Sequence, residues 1–268
     1  MKSENASELS LPFQKLENGK CLYFVSDFHL GVPDKKTSQK REEQIIDWLI
    51  SIEDSAAVIF LLGDVFDFWY EYKHVVPKGF FRLFNQLHRM NSKGILVHYF
   101  TGNHDMWVKN YLPEETGLIL HRGNVIFEMN GKSFFVGHGD GLGPGDYGYK
   151  FIKKIFSNPV CQWLFKWIHP DIGIGLANFW SGKSRGATLE ENYLGDQKEW
   201  LVQYCKEINS KKHFDYFIFG HRHLVIDKSF DEGFRYLNLG EWFKTGHFAR
   251  FDGTALHLIP VKNPPEKE

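Results

Sequence analysis

Five apolar runs in this chain each end in a small residue followed by carboxylate, imidazole or amide side chains. Such a run is typical of a buried strand whose carboxyl end delivers polar groups to a loop. Strands that place Asp, Asn and His at the same end build one site. Its oxygen and imidazole ligands, with no thiolate among them, suit a pair of divalent metals. The five segments are 22–29, 58–64, 97–105, 134–140 and 216–223.

Two of these segments carry candidate ligands two residues apart, Asp27 with His29 and His221 with His223. On an extended segment, residues i and i+2 face the same side, so Asp27 and His29 can contact one ion. Asp64 ends a third run, and its two carboxylate oxygens can bridge two metals. The predicted ligands are Asp27, His29, Asp64, Asn103, His138, His221 and His223.

Each motif also has a structural interpretation. A single Gly-Asp after an apolar run is more often a turn than a metal ligand, and Gly-Asn-His-Asp can be a loop closed by its own Asx side chains. Five such motifs at five strand ends are hard to explain as turns. Their convergence favours a dinuclear metal site.

Composition narrows the class of protein. A chain of 268 residues can bury one sizeable core, or a core with an embedded subdomain. The net charge of −1 lacks the basic excess of a nucleic-acid-binding protein, so no nucleic-acid partner is expected. The three cysteines, Cys21, Cys161 and Cys205, form no Cys-x-x-Cys pair and are expected to be reduced thiols.

The termini and hydropathy bear on location. The first twenty residues are polar and have no long apolar core, so no secretory signal is predicted. No run of about 18 apolar residues is present to span a bilayer. We expect a cytoplasmic protein.

Between the strand ends lie helical patterns, and this alternation predicts a layered α/β core. The helices are expected at 37–53, 78–90 and 189–208. A two-residue hairpin loop is expected at Asp252-Gly253, between strands at 247–250 and 255–261. The domain boundaries are predicted as an N-terminal extension at 1–20, one domain at 21–262 and a C-terminal tail at 263–268.

The segment 141–186 departs from this pattern and is predicted to be a helical insertion, here called the cap. It is rich in Trp, Phe and Ile, and residues 150–185 carry six basic residues against Asp171, a balance of +5. A helix with one basic and one aromatic face can lie in a bilayer interface. The alternative is that the aromatic residues simply bury the cap on the core.

The ordered motifs Asp-x-His, Gly-Asp, Gly-Asn-His-Asp, Gly-His and Gly-His-x-His resemble the calcineurin-like metallophosphoesterase superfamily over about residues 22–242. This resemblance implies a four-layer α/β/β/α sandwich with two divalent metals, Mn²⁺ (manganese) first and Fe or Zn²⁺ as alternatives. It implies one metal bound by Asp27, His29, Asp64 and His223, and a second bound by Asp64, Asn103, His138 and His221.

The same resemblance implies roles beside the metals. His104 is placed to contact a phosphoryl oxygen or the leaving group, and Asp105 is expected to orient His104. Asp140 is expected to support the site from behind the ligands.

A narrower resemblance concerns the segment 63–69, the cap entrance at 138–149 and the cap segment 158–165. These are similar to the bacterial UDP-2,3-diacylglucosamine pyrophosphatases, which cut a lipid-linked UDP-sugar to UMP and a lipid monophosphate in lipid A biosynthesis. The basic and aromatic composition of the cap predicts an anionic membrane surface as partner, with a peripheral location on the cytoplasmic face of the inner membrane. The resemblance implies substrate contacts from Asn103, His104, Asp146, Ser184 and His221.

The chain departs from this narrower family at one position, since His104 stands where the family usually has Arg. The departure restores the general superfamily motif and keeps a second enzyme hypothesis open, a soluble phosphodiesterase or nucleotide pyrophosphatase. The apolar, basic cap favours the lipid substrate over a soluble one. A non-catalytic scaffold with this fold would be expected to lose ligands, and this chain retains all seven.

Overall fold

Two six-stranded sheets form the centre of the protein. The computed structural model describes residues 6–144, 147–177 and 192–261, with the backbone alone at 147–149. In spatial order the first sheet contains β1 (Ala6–Glu8), β6 (Asn124–Met129), β7 (Lys132–Val136), β8 (Tyr216–Phe219), β10 (Arg235–Leu239) and β9 (Val225–Ser229). The second sheet contains β12 (Leu256–Pro260), β11 (His247–Phe251), β2 (Cys21–Val25), β3 (Ala56–Leu61), β4 (Leu96–Phe100) and β5 (Ile119–His121).

The strands that precede the predicted ligands run parallel to their neighbours. In the second sheet, β2, β3, β4 and β5 are parallel in that order. In the first sheet, β7, β8 and β10 are parallel. The carboxyl ends of β2, β3 and β4 therefore share one edge, and those of β7 and β8 share another.

The two sheets pack face to face through stacked phenylalanines. The ring centroids of Phe24 and Phe60 are 4.9 Å apart, those of Phe60 and Phe127 are 5.1 Å apart, and those of Phe127 and Phe134 are 4.8 Å apart. Alternate residues of the same strands, such as Tyr23, face the helices instead. Because both faces are buried, these strands appear in the sequence as continuous apolar runs.

Helices cover both outer faces of this pair of sheets. Buried residues of α1 (Lys35–Ile52) and α2 (Phe81–Ser92) pack on the second sheet, and those of α6 (Trp200–Lys211) pack on the first. The result is the four-layer α/β/β/α sandwich that the family resemblance implies. The other described helices are α3 (Tyr111–Thr116), α4 (Tyr147–Phe156) and α5 (Pro159–Phe165), and residues 170–177 are also helical.

Two predicted elements differ from the structure. The helix expected at 189–208 begins only at Trp200, because residues 192–199 form an irregular segment that ends at the N-cap, Glu199. The hairpin loop contains four residues instead of two, since Phe251 pairs with Leu256. The Asp252 carboxylate accepts two backbone N–H groups inside that loop and closes it without a two-residue turn.

Residues 6–8 of the predicted N-terminal extension form β1, which pairs in parallel with β6. Residues 145–146 and 178–186 of the cap lie outside the described residues. Among the described helices, none is both long and apolar enough to cross a bilayer.

The described part of the cap has an inner and an outer aromatic face. On the inner face, Phe165 lies 4.8 Å from the Tyr70 ring and 4.9 Å from the Trp107 ring. Trp107 also donates its indole N–H to the carbonyl of Phe156, at the end of α4. On the outer face, Trp163 is 56% exposed and Trp167 is 74% exposed. The interpretation that the aromatic residues bury the cap on the core is therefore confirmed for Phe165 and wrong for Trp163 and Trp167, while contact of the outer face with a bilayer stays a prediction.

Candidate dinuclear metal site

The loops after β2, β3 and β8 bring four predicted ligands together. One donor atom from each of Asp27, His29, Asp64 and His223 lies within 4.8 Å of those of the other three. His223 Nε2 is 3.2 Å from Asp27 Oδ1, and His29 Nε2 is 3.7 Å from Asp64 Oδ2. These four residues are the set expected to bind one metal.

A second group shares one of these carboxylates. Donor atoms of Asp64, His138 and His221 also lie within 4.8 Å of one another. His138 Nε2 is 3.2 Å from Asp64 Oδ2 and 3.2 Å from the side-chain oxygen of Asn103. The structure thus gathers all seven predicted ligands, with Asp64 in both groups.

The ligand loops have an unusual backbone. The φ angles are 56° at Asp27, 44° at His29, 52° at Asp64, 69° at His221 and 53° at His223, all in the left-handed region. The prediction that the two spaced pairs lie on extended segments is therefore wrong, because the chain turns sharply at each ligand. A non-glycine residue in such a conformation costs about 1–3 kcal/mol and persists only where its surroundings hold it.

Small residues beside the ligands allow the loops to approach closely. A Cβ atom added to Gly102 would overlap the Asp64 carboxylate, and one added to Gly63 would overlap the His138 imidazole. At these two runs, the terminal glycine is thus required by the approach of a ligand from another strand.

The pKa values of several site residues are strongly shifted. Burial alone would lower the pKa of His29, but hydrogen bonds to Asp27 and Asp67 raise it to about 10. Burial also opposes protonation of His138, and the Asp64 charge raises its pKa to about 10. Although burial raises the pKa of Asp64, the charge of His138 holds it far below its usual range. Protons thus balance the buried carboxylates where metal ions would bind.

This donor set fits divalent metals. It combines two fully buried carboxylates, four imidazoles and one amide oxygen, which are ligands of borderline and hard divalent cations. Buried carboxylates need a compensating positive charge. A metal in each group would supply that charge in place of the protons.

His104 lies beside the ligands and contacts Asp67. Its Nδ1 is 3.0 Å from the carbonyl oxygen of Asp67 and 3.8 Å from the carboxylate. The same carboxylate lies 3.3 Å from His29 Nδ1. Burial lowers the pKa of His104. Asp67, which sequence analysis missed as a site residue, therefore orients two imidazoles, and its signal is its place three residues after Asp64.

Asp105 occupies a different place from the one expected. Its Oδ2 accepts the backbone N–H of Val65 at 2.9 Å and the Tyr99 hydroxyl at 2.5 Å, and its Oδ1 accepts the N–H of Gly102 at 2.7 Å. Burial and the Asp64 charge raise the pKa of Asp105 to about 6. Asp105 thus joins the loops after β3 and β4, while Asp67 is the acid at His104 Nδ1.

Asp140 connects the site to the cap. Its carboxylate lies 2.5 Å from Lys153 Nζ on α4, and its carbonyl oxygen accepts from the same ammonium group at 3.1 Å. Burial alone would raise the pKa of Asp140, but the charges of Lys153 and His138 outweigh burial, and the pKa is lowered. Asp146 and Ser184, the two predicted substrate contacts from the cap, lie outside the described residues.

Comparisons with known proteins found relatives of this chain. No protein-family model matches the chain. A UDP-2,3-diacylglucosamine hydrolase of Porphyromonas gingivalis is 35% identical over 261 residues, which is 90% of this chain and 98% of the relative. The enzyme of the same name from Actinobacillus succinogenes is 23% identical over 224 residues, 83% of this chain and 92% of the relative.

Solved structures similar to this chain include an archaeal phosphodiesterase, with a TM-score of 0.46 and 12% identity over 90% of this chain and 99% of that one. A phosphoesterase from E. coli has a TM-score of 0.45 and 14% identity over 90% of this chain and 93% of that one.

Proposed function

Since the chain belongs to the family of the UDP-2,3-diacylglucosamine hydrolases, we propose that it hydrolyses the pyrophosphate of UDP-2,3-diacylglucosamine. The products are UMP and 2,3-diacylglucosamine 1-phosphate, in lipid A biosynthesis. The observation that carries the proposal is the convergence of seven ligand side chains, with Asp64 shared by two groups, in a chain 35% identical to an enzyme of that name.

We propose that both groups hold Mn²⁺, with Fe or Zn²⁺ as alternatives, because carboxylate, amide and imidazole ligands without thiolate suit these ions. When bound, two divalent cations supply Lewis-acid polarisation of a phosphoryl group. The first group comprises Asp27, His29, Asp64 and His223, and the second comprises Asp64, Asn103, His138 and His221.

In this proposal His104 serves the reacting phosphate. The carbonyl of Asp67 can only accept a hydrogen bond, so Nδ1 of His104 carries the proton and Nε2 is the nitrogen offered to substrate. Burial lowers the pKa of this imidazole in the free protein. The negative charge of a bound pyrophosphate favours the protonated form. His104 can then donate to a phosphoryl oxygen or to the leaving phosphate.

Further substrate contacts are proposed from Asn103, His221, Asp146 and Ser184. Asn103 and His221 line the metal site itself, and the other two residues belong to the cap segment by sequence alone. The role of all four residues would be to orient the nucleotide and sugar of the substrate.

The cap would serve the acyl chains. We take residues 21–262 as one metallophosphoesterase domain that contains the cap at 141–186. The inner aromatic face fastens the described part of the cap to the core near the metal site, and the outer face leaves apolar side chains exposed. Support comes from the exposed fractions of Val160, Trp163, Leu164 and Trp167, which range from 56% to 74%.

The outer face is also proposed to contact the anionic cytoplasmic surface of the inner membrane. Lys154 and Lys166 are exposed beside the apolar residues. Lys150 and Lys153 instead donate to the carbonyls of Gly143 and Asp140. The basic contribution to membrane binding would thus come mainly from Lys154 and Lys166, at about 1 kcal/mol each.

The substrate assignment is tested by comparing three compounds at the same Mn²⁺ loading. These are the diacylated UDP-sugar, UDP-N-acetylglucosamine and bis(p-nitrophenyl) phosphate. We expect UMP release from the diacylated compound with by far the highest kcat/KM, since buried acyl CH₂ groups contribute about 0.8 kcal/mol each as an upper guide. Equal efficiency on UDP-N-acetylglucosamine would favour a soluble nucleotide pyrophosphatase instead.

Membrane binding is tested by flotation with vesicles that contain phosphatidylglycerol. The wild type should float at low salt and be released at high salt. The variant with Lys154→Gln and Lys166→Gln should float less. The matched control changes two lysines of α6, the partly exposed Lys206 and the exposed Lys211, each to Gln, and should behave as wild type. Equal flotation of all three proteins would reject a basic membrane-binding face on the cap.

A further inference from the structure

Arg222 stands between two predicted ligands in the motif Gly-His-Arg-His, and its side chain is almost fully buried. While His221 and His223 contribute to the metal groups, the Arg222 guanidinium pairs with Glu199. Nε donates to Oε2 at 3.1 Å, and Nη2 donates to Oε1 at 2.9 Å. Arg222 is 5% exposed and Glu199 is fully buried. Two charges withdrawn from water in this way require a well-aligned partner.

Glu199 belongs to the segment 192–200, by which the chain re-enters the core after the cap, here called the return segment. Its Oε1 also accepts the backbone N–H of Leu194 at 3.0 Å. Arg222 reaches the same segment twice more, through the carbonyl of Asn192 at 3.4 Å and over the ring of Trp200 at 4.8 Å. One guanidinium therefore joins the loop 220–223, here called the ligand loop, to the return segment.

The ligand loop needs such a fixed point. His221 and His223 both have left-handed backbone conformations, and the N–H of Arg222 donates to the carbonyl of Gly220 at 2.8 Å. Left-handed non-glycine residues persist only where contacts hold them. A guanidinium bonded through two parallel N–H groups fixes orientation as well as distance. Arg222 lies at the centre of this strained stretch.

We propose that Arg222 is a positioning residue of the metal site. Through Glu199 it holds His221 and His223 in the conformation that binds metal. Metal affinity therefore depends on the position of the return segment that follows the cap. The inference rests on the proposed function insofar as His221 and His223 are metal ligands. Groups that orient metal ligands commonly change metal affinity by about 10–100-fold.

Lys228 on β9 provides a matched control. Its ammonium group contacts the Asp196 carboxylate and lies 4.8 Å from the Tyr193 ring, so it fastens the same return segment from a neighbouring strand. Lys228→Met should loosen the return segment while the Arg222–Glu199 pair remains. A loss of metal affinity in the Arg222 variant that is absent in Lys228→Met can then be assigned to the ligand loop and not to a general loosening of the return segment.

The experiment is a calorimetric titration of the metal-free, full-length chain with Mn²⁺. Arg222→Lys keeps the charge but loses the two parallel hydrogen bonds. We expect Arg222→Lys to bind Mn²⁺ at least about tenfold more weakly than wild type, with Lys228→Met within about twofold. Wild-type affinity in Arg222→Lys, or an equal loss in Lys228→Met, would overturn the inference.

A second variant covers the case in which Arg222→Lys does not fold. Glu199→Gln keeps the shape of the side chain and one acceptor oxygen while it removes the charge. It should weaken Mn²⁺ binding in the same direction, and unchanged affinity in folded Glu199→Gln would reject the role of the pair. The wild-type titration distinguishes the two proposals. If wild type binds no Mn²⁺, the metal site itself is rejected; if wild type binds and the variants match it, only the positioning role fails.

Discussion

The carboxylate of Asp64 accepts the backbone N–H of His104, with 2.9 Å between Oδ1 and the nitrogen. Its other oxygen lies 3.2 Å from His138 Nε2 and 3.7 Å from His29 Nε2. One side chain therefore contacts both ligand groups and also fixes the loop that carries His104. No other predicted ligand has this double position among the described residues.

Asp64→Asn should remove both metals and lower turnover by at least about 10³-fold, since the amide keeps the shape and the acceptor for His104 but loses the shared charge. Elemental analysis of the purified variant measures the metals. Asp215→Asn, at a half-buried carboxylate just before β8 that pairs with Lys132, is the control and should retain them. Two metals per chain in Asp64→Asn would show that the carboxylate is not shared.

His104→Ala should lower kcat by about 10²–10⁴-fold while metal content stays at the wild-type level, because its imidazole serves the phosphate and not the cations. Turnover is measured on bis(p-nitrophenyl) phosphate under conditions where chemistry limits the rate. His88→Ala, an exposed position on α2, should leave kcat unchanged. An unaltered kcat in His104→Ala would exclude this residue from the mechanism.

The outer aromatic face should matter for the lipid alone. Trp163→Ser with Trp167→Ser should lower kcat/KM on the diacylated substrate by at least about tenfold, because exposed apolar surface is lost from the proposed contact with lipid. Activity on bis(p-nitrophenyl) phosphate should persist, since exposed positions change stability little. Phe165→Ser is the contrasting variant: it removes an inner contact and should lower thermal stability. Equal activity of wild type and the double variant on the lipid would separate this face from substrate binding.

Metal binding should release protons. In the metal-free protein the Asp27 and Asp67 contacts of His29 and the Asp64 charge beside His138 outweigh burial, and both pKa values are raised to about 10. Both imidazoles are thus protonated near neutral pH and must lose the proton to bind metal. Mn²⁺ affinity should rise with pH up to about pH 10. Close to two protons should be released when both ligand groups are filled, one from His29 and one from His138. Titration calorimetry in buffers of different ionisation enthalpy counts them, and a buffer-independent heat would contradict this expectation.

Stability should fall in mild acid through His98. This side chain is buried, stacked on Phe60 at 5.2 Å, with Nδ1 2.8 Å from His121 Nε2. Burial lowers the pKa of His98 to about 4. The unfolded chain binds a proton near pH 6.5 and the folded one only near pH 4, so the stabilisation present above pH 6.5 is lost as pH falls between these values. The loss should reach about 2 kcal/mol by about pH 5.

Urea unfolding just above pH 6.5 and again at about pH 5 measures this loss in the free energy of unfolding. In His98→Phe the corresponding part of the pH dependence should vanish, because no titratable ring remains at that position. His257→Phe, an exposed histidine on β12, is the control and should keep it. If the free energy of unfolding of His98→Phe depends on pH as that of the wild type does, the acid sensitivity belongs to other groups.

The architecture and the clustering of the candidate ligands were predictable from sequence because their signals are local. A strand buried on both faces, such as β3, gives an unbroken apolar run, and the ligand follows within three residues. Parallel pairing then brings the ends together. The helix at 37–53 was predicted within two residues because its inward stripe is regular, and the structure adds only its N-cap, Asp34.

The remaining features depend on contacts between distant parts of the chain. The left-handed conformation of Asp27 follows from its packing against the loop of His221, whose backbone N–H it accepts across 194 residues. The ion pair between Arg222 and Glu199 spans 23 residues. Glu199 lies inside the helix expected at 189–208, but in the structure it is the N-cap of α6. The two faces of the cap also share one periodicity, so only the position of Phe165 against Trp107 shows which face is inward.

The division of the ligands between two sheets affects how the protein is made. Synthesis produces Asp27, His29, Asp64 and Asn103 with β2, β3 and β4, whereas His221 and His223 follow β8, more than a hundred residues later. A nascent chain that ends before residue 221 contains the shared carboxylate but not the imidazoles that complete either group. Loading of the two proposed metals would therefore be a late step of biogenesis, and until then the ribosome-bound chain carries an unfinished acidic site.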